Sequence, residues 1–159
     1  MAVHYVHRGM GQEGKSGQMM LSILRIVVGF VFIAHGMQKH FNWPVAMPVP
    51  MTPWSQVWIG GWLELIGGLL ILVGLCTRPV AFVLSGMMAV AYFQVHALPN
   101  LSERAGQAGM PAMPAQPLHT LLFPLTNGGE LAVLYCFVFL YFVAVGGGPL
   151  SLDARLKKA

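Results

Sequence analysis

Charged side chains are scarce in this sequence. Asp, Glu, Lys and Arg together make up 9% of its 159 residues, where soluble globular domains carry about 25%. With 56% hydrophobic residues and a mean hydropathy of +0.66, that deficit excludes an ordinary water-soluble domain and points to the bilayer. The formal net charge is +4. The basic residues are scattered and build no basic face, so nucleic acid is not an expected partner. Cysteine is nearly absent. Cys76 and Cys136 stand far apart with no Cys-x-x-Cys, which argues against built-in thiol–disulfide chemistry, and both read as small apolar fillers. A secretory leader is not apparent either. Residues 1–18 are polar and Gly-rich, without a short charged start or a small-residue cleavage site after the first apolar run. That run is expected to be a retained helix.

What the sequence has instead is long apolar stretches. A membrane helix needs about 20 mostly apolar residues, and four segments approach this: 19–38, 56–76, 79–98 and 129–146. The last is the shortest and can draw on the preceding TLLFPL. The second and third are joined by a tight CTRP turn, with Pro79 expected at a first helical position, where its missing N–H had no partner anyway. Arg8, Lys15, Arg78, Arg155, Lys157 and Lys158 fall on one side of a four-span arrangement, and Lys39 and Arg104 on the other. The majority side is expected to be cytoplasmic. The fold class is therefore an all-α integral membrane four-helix bundle with antiparallel neighbours. It has a polar lead-in over 1–18, both termini inside, and a short tail over 147–159 beside anionic headgroups. Two Pro-rich loops, 39–55 and 99–128, face outward, and Trp43, Trp54 and Trp58 mark the outer interface.

Within GGWLELIGGLLILVGL, residues 60–75, Glu64 is the one carboxylate. Gly60, Gly61, Gly67 and Gly68 flank it at three and four residues, the spacing of one helix face. Such glycine seams allow close helix contact in membranes, so Glu64 is expected to face the bundle. Arg25, Gly29 and Gly36 form a comparable stripe on the first span. Arg25 lies roughly 9 Å and Glu64 roughly 18 Å from the inner ends of their helices, so an Arg25–Glu64 ion pair is one expectation. Such a pair either fixes helix register or lines a proton- or ligand-accessible cavity.

A second polar group is expected at the outer side: His35, Lys39, His96, Asn127 and Glu130. His35 and His96 fall at one depth, since their helices run parallel. Asn127-Gly-Gly-Glu130 reads as a capping box, with Asn127 as N-cap and Glu130 at the third helical position. The composition fits a quinone-headgroup site, with His35, His96, Lys39 and Asn127 around the head and Glu130, Glu64 and Arg25 in proton or charge roles. It also fits a bis-histidine haem or a metal held by His35, His96 and Glu130. Met47, Met51, Met110 and Met113 in the loops offer soft thioethers for copper, or spacers that dock a partner.

Four stretches carry a resemblance to a known family. RIVVGFVFIAHGMQKHF, with Arg25, Gly29, Phe32, His35, Gly36 and Lys39, resembles the first helix of the DoxX family of small membrane proteins. WLELIGGLLILVGLCTRP, with Glu64, Gly67, Gly68, Gly74, Thr77, Arg78 and Pro79, resembles its second. NGGELAVLYCFVFLYF and GPLSLD resemble its fourth helix and tail. The resemblance implies a four-helix protein of the bacterial inner membrane in a respiratory or redox setting, since some relatives are subunits of thiosulfate:quinone oxidoreductases or accompany quinol oxidases. The expectation is a quinone-linked component working with a protein partner in a complex. The alternatives are a non-catalytic anchor that docks a partner through its outer loops, and a copper-handling protein. A homo-oligomer is compatible with each.

Overall fold

A computed structural model describes residues 2–47, 51–97 and 123–157, with side chains from residue 14 onward. The described residues are helices and turns with no strand. In chain order they are α1 (Ala2–Phe41), α2 (Gln56–Val73), α3 (Thr77–Ala91, running on into a π-helical turn over Tyr92–Ala97), a short α4 (Pro124–Asn127), α5 (Glu130–Val145) and a short α6 (Leu152–Leu156). The expected polar lead-in is, from Ala2, continuous with α1. Three stretches are long and apolar enough to cross a membrane: Gly14–Phe41, Gln56–Val73 and Thr77–Ala97. The fourth, α5, is apolar but has 16 residues, a length of about 24 Å against a hydrocarbon core of about 30 Å.

The surface has the polarity of a membrane protein. Phe30, Phe82 and Phe137, on three different helices, are each about two-thirds exposed, while Arg25, Glu64, Ser22 and Thr77 are buried. In water this distribution would oppose folding; in lipid it exposes what lipid solvates and hides what it does not.

Glycine sets how closely α1 and α2 pack. A Cβ on Gly29 would sit 2.6 Å from the Leu72 nitrogen, and one on Gly36 would sit 2.6 Å from the Leu65 nitrogen. From the other side, a Cβ on Gly68 would come within 2.9 Å of the Ile33 nitrogen. The two backbones therefore touch along most of their shared length. Only half of the glycines around Glu64 serve this contact. Gly67 instead accommodates Leu84 of α3. α3 and α5 pair through larger groups, with Leu84, Met88, Phe139 and Phe142 in the core and the Ser85 hydroxyl donating to the Cys136 carbonyl at 3.0 Å. Rings join α1 to α5, Phe32 meeting Phe139 edge-on with centroids 4.9 Å apart.

α2 ends at Val73, earlier than its apolar run, because Gly74 takes a left-handed conformation (φ +72°). Its N–H and that of Leu75 turn back to the Leu70 carbonyl at 2.9 and 3.0 Å, the arrangement that closes many helices. α3 then starts at Thr77, which places Pro79 third in the helix rather than first. Proline is still tolerated there because the first-turn N–H groups have no intrahelical acceptor.

Candidate functional site

The structure separates the buried charges into two sites. At α1 positions 25 and 39 they lie fourteen residues apart, about 21 Å along the axis.

Arg25 is fully buried and makes four hydrogen bonds to backbone carbonyls. Its Nε donates to the Gly147 carbonyl at 2.8 Å and its Nη2 to the Leu150 carbonyl at 3.2 Å. Its Nη1 donates to the Ile71 carbonyl at 2.6 Å and also to that of Leu72. The last two carbonyls belong to the final turn of α2, where helix geometry leaves oxygens unpaired. One guanidinium thus ties α1 to the end of α2 and to the turn after α5. Asp153 completes this clasp. Its two carboxylate oxygens accept from the N–H groups of Cys76 and Thr77, at 2.7 and 2.8 Å, neutralising the positive start of α3. Burial pushes the Asp153 carboxyl upward. The Thr77 hydroxyl, these two N–H groups and the Lys157 charge outweigh that and hold it below its ordinary value.

The expected Arg25–Glu64 ion pair does not form. Arg25 is level with the last turn of α2, whereas Glu64 lies seven residues back from Ile71, about 10 Å nearer the other end. An arginine cannot span that gap while satisfying four carbonyls.

Glu64 pairs with Lys39 instead, Nζ to Oε1 at 2.5 Å. The Glu64 side chain is 6% exposed and that of Lys39 22%. Close packing at Gly36 and Gly61 brings the two helices near enough for the short reach: the Gly61 α-carbon faces the Lys39 and His40 side chains directly. The second carboxylate oxygen, Oε2, is buried with no hydrogen-bond partner among the described residues, and so is Nε2 of His40. His40 stacks on Trp62, with centroids 4.3 Å apart, and meets Trp58 edge-on.

Lys39 and Glu64 line a cleft of about 100 Å³ between α2 and α3, with Gln56 and Gln94 as its other polar side chains and Gly60, Met87 and Met88 among its apolar ones. Nearer the Arg25 end, an apolar groove of about 380 Å³ opens between the same two helices, lined by Trp62, Leu63, Ile66, Val80, Val83 and others. The α2–α3 interface thus carries a small polar cleft toward one end and a larger apolar groove toward the other.

The other expected site residues are dispersed. His35 stands edge-on to Tyr135 at 6.1 Å and to Phe32 at 6.5 Å. His96 contacts the Asn127 carbonyl through Nδ1 at 3.0 Å and stacks beside Tyr92. No contact among the described residues joins the two histidines. Asn127 is not the N-cap of α5. It closes α4, and its Oδ1 accepts from the Gly129 N–H at 2.8 Å across a turn in which Gly128 is left-handed. Gly129 takes the cap position, and Glu130 is the exposed first residue of α5. The expected capping box is therefore replaced by a side-chain-closed turn. Among the described residues no three of His, Cys, Asp or Glu are grouped to hold a metal, so His35, His96 and Glu130 do not converge. Met110 and Met113 lie outside the described residues.

The sequence reading missed Gln56 and Gln94 at the cleft. One signal was legible for the pair itself. Lys39 follows Gly36 by three residues and Glu64 follows Gly61 by three, so both seams lead to the same place.

Comparison with known proteins places these features in a family. Residues 20–97 match the model of the DoxX family. That span holds Arg25, Lys39, Glu64 and both helices of the α2–α3 interface. An uncharacterized protein of Haemophilus influenzae is 39% identical over 140 residues, covering 87% of this chain and 91% of the relative. No solved structure matches the chain.

Proposed function

The chain belongs to the DoxX family, a multi-pass membrane protein, and from that premise we propose that it is a quinone-linked redox component whose headgroup site is the Lys39–Glu64 cleft. The observation that carries this reading is the buried carboxylate with one oxygen paired to an ammonium and the other uncommitted. A structural ion pair gains by satisfying both oxygens; one left open at a cleft is suited to a ligand.

The residues fit such a group. Glu64 Oε2 can accept a hydrogen bond from a hydroxyl, and Lys39 Nζ can donate one to a carbonyl, so the pair has a match for the reduced and the oxidised head alike. At about 100 Å³ the cleft is smaller than ordinary ligand pockets. It takes only a head, and the apolar groove below it offers a path for a tail. A bound quinone would supply a two-electron, two-proton carrier. The chain's own part is to orient the head, keep lipid from it, and hold a proton at Glu64. The electrons come from a partner oxidoreductase.

In this reading four helices cross the bilayer, α4 and its flanking residues lengthening the short α5. The Arg25 end faces the cytoplasm, as the basic residues around it favour, and the membrane is the bacterial inner membrane. His35 and Tyr135 form a neighbouring aromatic wall rather than a direct head contact. The test is extraction of protein purified in mild detergent, with mass spectrometry for bound quinone. The reading expects stoichiometric quinone that is lost in Glu64→Gln. Protein that carries none, and takes none up from quinone-loaded micelles, is an anchor subunit instead.

A further inference from the structure

At the Arg25 end a second, larger cleft of about 510 Å³ opens where α1, the α2–α3 turn, the glycine turn after α5 and α6 come together. Its wall is mixed. Leu21, Pro79 and Val145 present apolar surface, while Gln18, Arg78 and Lys157 present polar and basic groups. The one carboxylate in the cleft, Asp153, already has both oxygens engaged by the N–H groups of Cys76 and Thr77. Lys157 already bears on Asp153 through its charge, but Arg78 is not so committed. Arg78 makes no hydrogen bond or ion pair with any described residue, and its Nε lies 3.5 Å from where a Cβ on Gly146 would stand. It therefore overhangs the glycine turn. In that turn the N–H groups of Gly147 and Gly148 donate to no described residue, whereas those of Gly146, Leu150 and Ser151 do. Gly146 and Gly148 both have positive φ, +86° and +75°, a backbone form that suits close approach to a ligand.

We propose that this cleft is a binding site for the headgroup of an anionic phospholipid. Arg78 and Lys157 take the phosphate and its flanking negative charge, the glycine-turn N–H groups are available as further donors, and an acyl chain leaves along Leu21 and Val145. An arginine is suited to this because its planar donors match phosphate oxygens two at a time. The placement suits a lipid over a free anion, since the cleft lies at the ends of the apolar helices, with the basic groups beyond them and the apolar wall toward the bilayer. Its occupant would seat on the clasp made by Arg25 and Asp153, far from the Lys39–Glu64 cleft, so the site stands independently of the quinone reading.

The experiment is native mass spectrometry of the whole protein in detergent, titrated separately with phosphatidylglycerol, phosphatidylcholine and inorganic phosphate. Each basic side chain near an anionic headgroup contributes roughly a five-fold preference. Phosphatidylglycerol is expected to be retained at least about tenfold better than phosphatidylcholine, with that preference lost in the Arg78→Gln/Lys157→Gln double variant. Both side chains are exposed, so the fold survives their loss. Val145→Trp, which fills the apolar wall and keeps both charges, is expected to weaken lipid retention. Equal retention of the two lipids overturns the proposal, as does an undiminished preference in the double variant. Inorganic phosphate that displaces the lipid at equal concentration shows a free-anion site and overturns it too.

Discussion

The two buried charged sites along the contact of α1 with α2 are built oppositely. Arg25 meets four carbonyl oxygens and ties α1 to two other segments, the last turn of α2 and the turn after α5. Glu64 meets one ammonium and keeps one buried oxygen open. The first arrangement turns four guanidinium hydrogen bonds inward onto the backbone in a fully buried position, and it closes the last turn of α2, a place where unpaired oxygens are costly in lipid. The second is incomplete at a cleft. A buried charge in a membrane protein is thus not evidence of function by itself; its unspent hydrogen-bonding capacity is the better guide.

The largest effect should come from the Arg25 site. Arg25→Met removes the donor to the Leu72, Gly147 and Leu150 carbonyls and leaves that of Ile71 with the Gly74 N–H alone. The expected loss is on the order of 3–5 kcal/mol, as for breaking a buried ionic network, read as collapse of monodisperse yield in detergent. Arg25→Lys, with one reaching point in place of a fork, should recover only part of it. Next comes the helix contact. Gly36→Ala pushes a methyl against the α2 backbone, where nothing can rotate away, and should cost about 1–3 kcal/mol in thermal unfolding. An equal substitution at Gly86, which has open space around it, is the control and should be neutral or slightly stabilising.

Asp153 gives a pH test of the clasp. Its folded carboxyl is held below its ordinary value, so it binds its proton less readily folded than unfolded. Its contribution is therefore present above the ordinary carboxylate range and is lost as pH falls through the lower folded value. Wild-type protein should lose stability over that acid range relative to its neutral-pH value, and Asp153→Asn should show a flatter profile. At neutral pH the variant should be less stable by about 1 kcal/mol, the size of a lost helix cap. Circular dichroism melts across the pH series measure both. The smallest effect is expected at His40. Its Nε2 has no partner among the described residues, so His40→Phe keeps the stack on Trp62 and should change the melting temperature by no more than a few degrees in either direction.

Much of this was legible in the sequence. Apolar length pointed to four spans, of which three are long enough to cross among the described residues, and glycine spacing put Arg25 and Glu64 inside. The partner of Glu64 was legible only in the matching offsets from Gly36 and Gly61, because a seam fixes which face a residue takes but not its depth against the next helix. That depth depends on where α2 stops, and Gly74 stops it before the apolar run ends. Asn127 was misread for a related reason: the short α4 uses residues that a sequence pattern assigns to the start of α5. Gln56 and Gln94 carry no local signal, since each becomes part of the cleft only when α2 and α3 are together.

The contrast between the two sites rests most directly on Glu64→Gln, measured as the shift in thermal midpoint that a soluble quinone analogue produces. Gln is close in shape and keeps one acceptor for Lys39, so the variant should fold and melt within a few degrees of wild type. It should also lose most of the quinone-induced shift. A variant that melts as wild type and keeps the full shift would contradict a binding role for Glu64. One that fails to fold as Arg25→Met does would show that both charges serve only the fold.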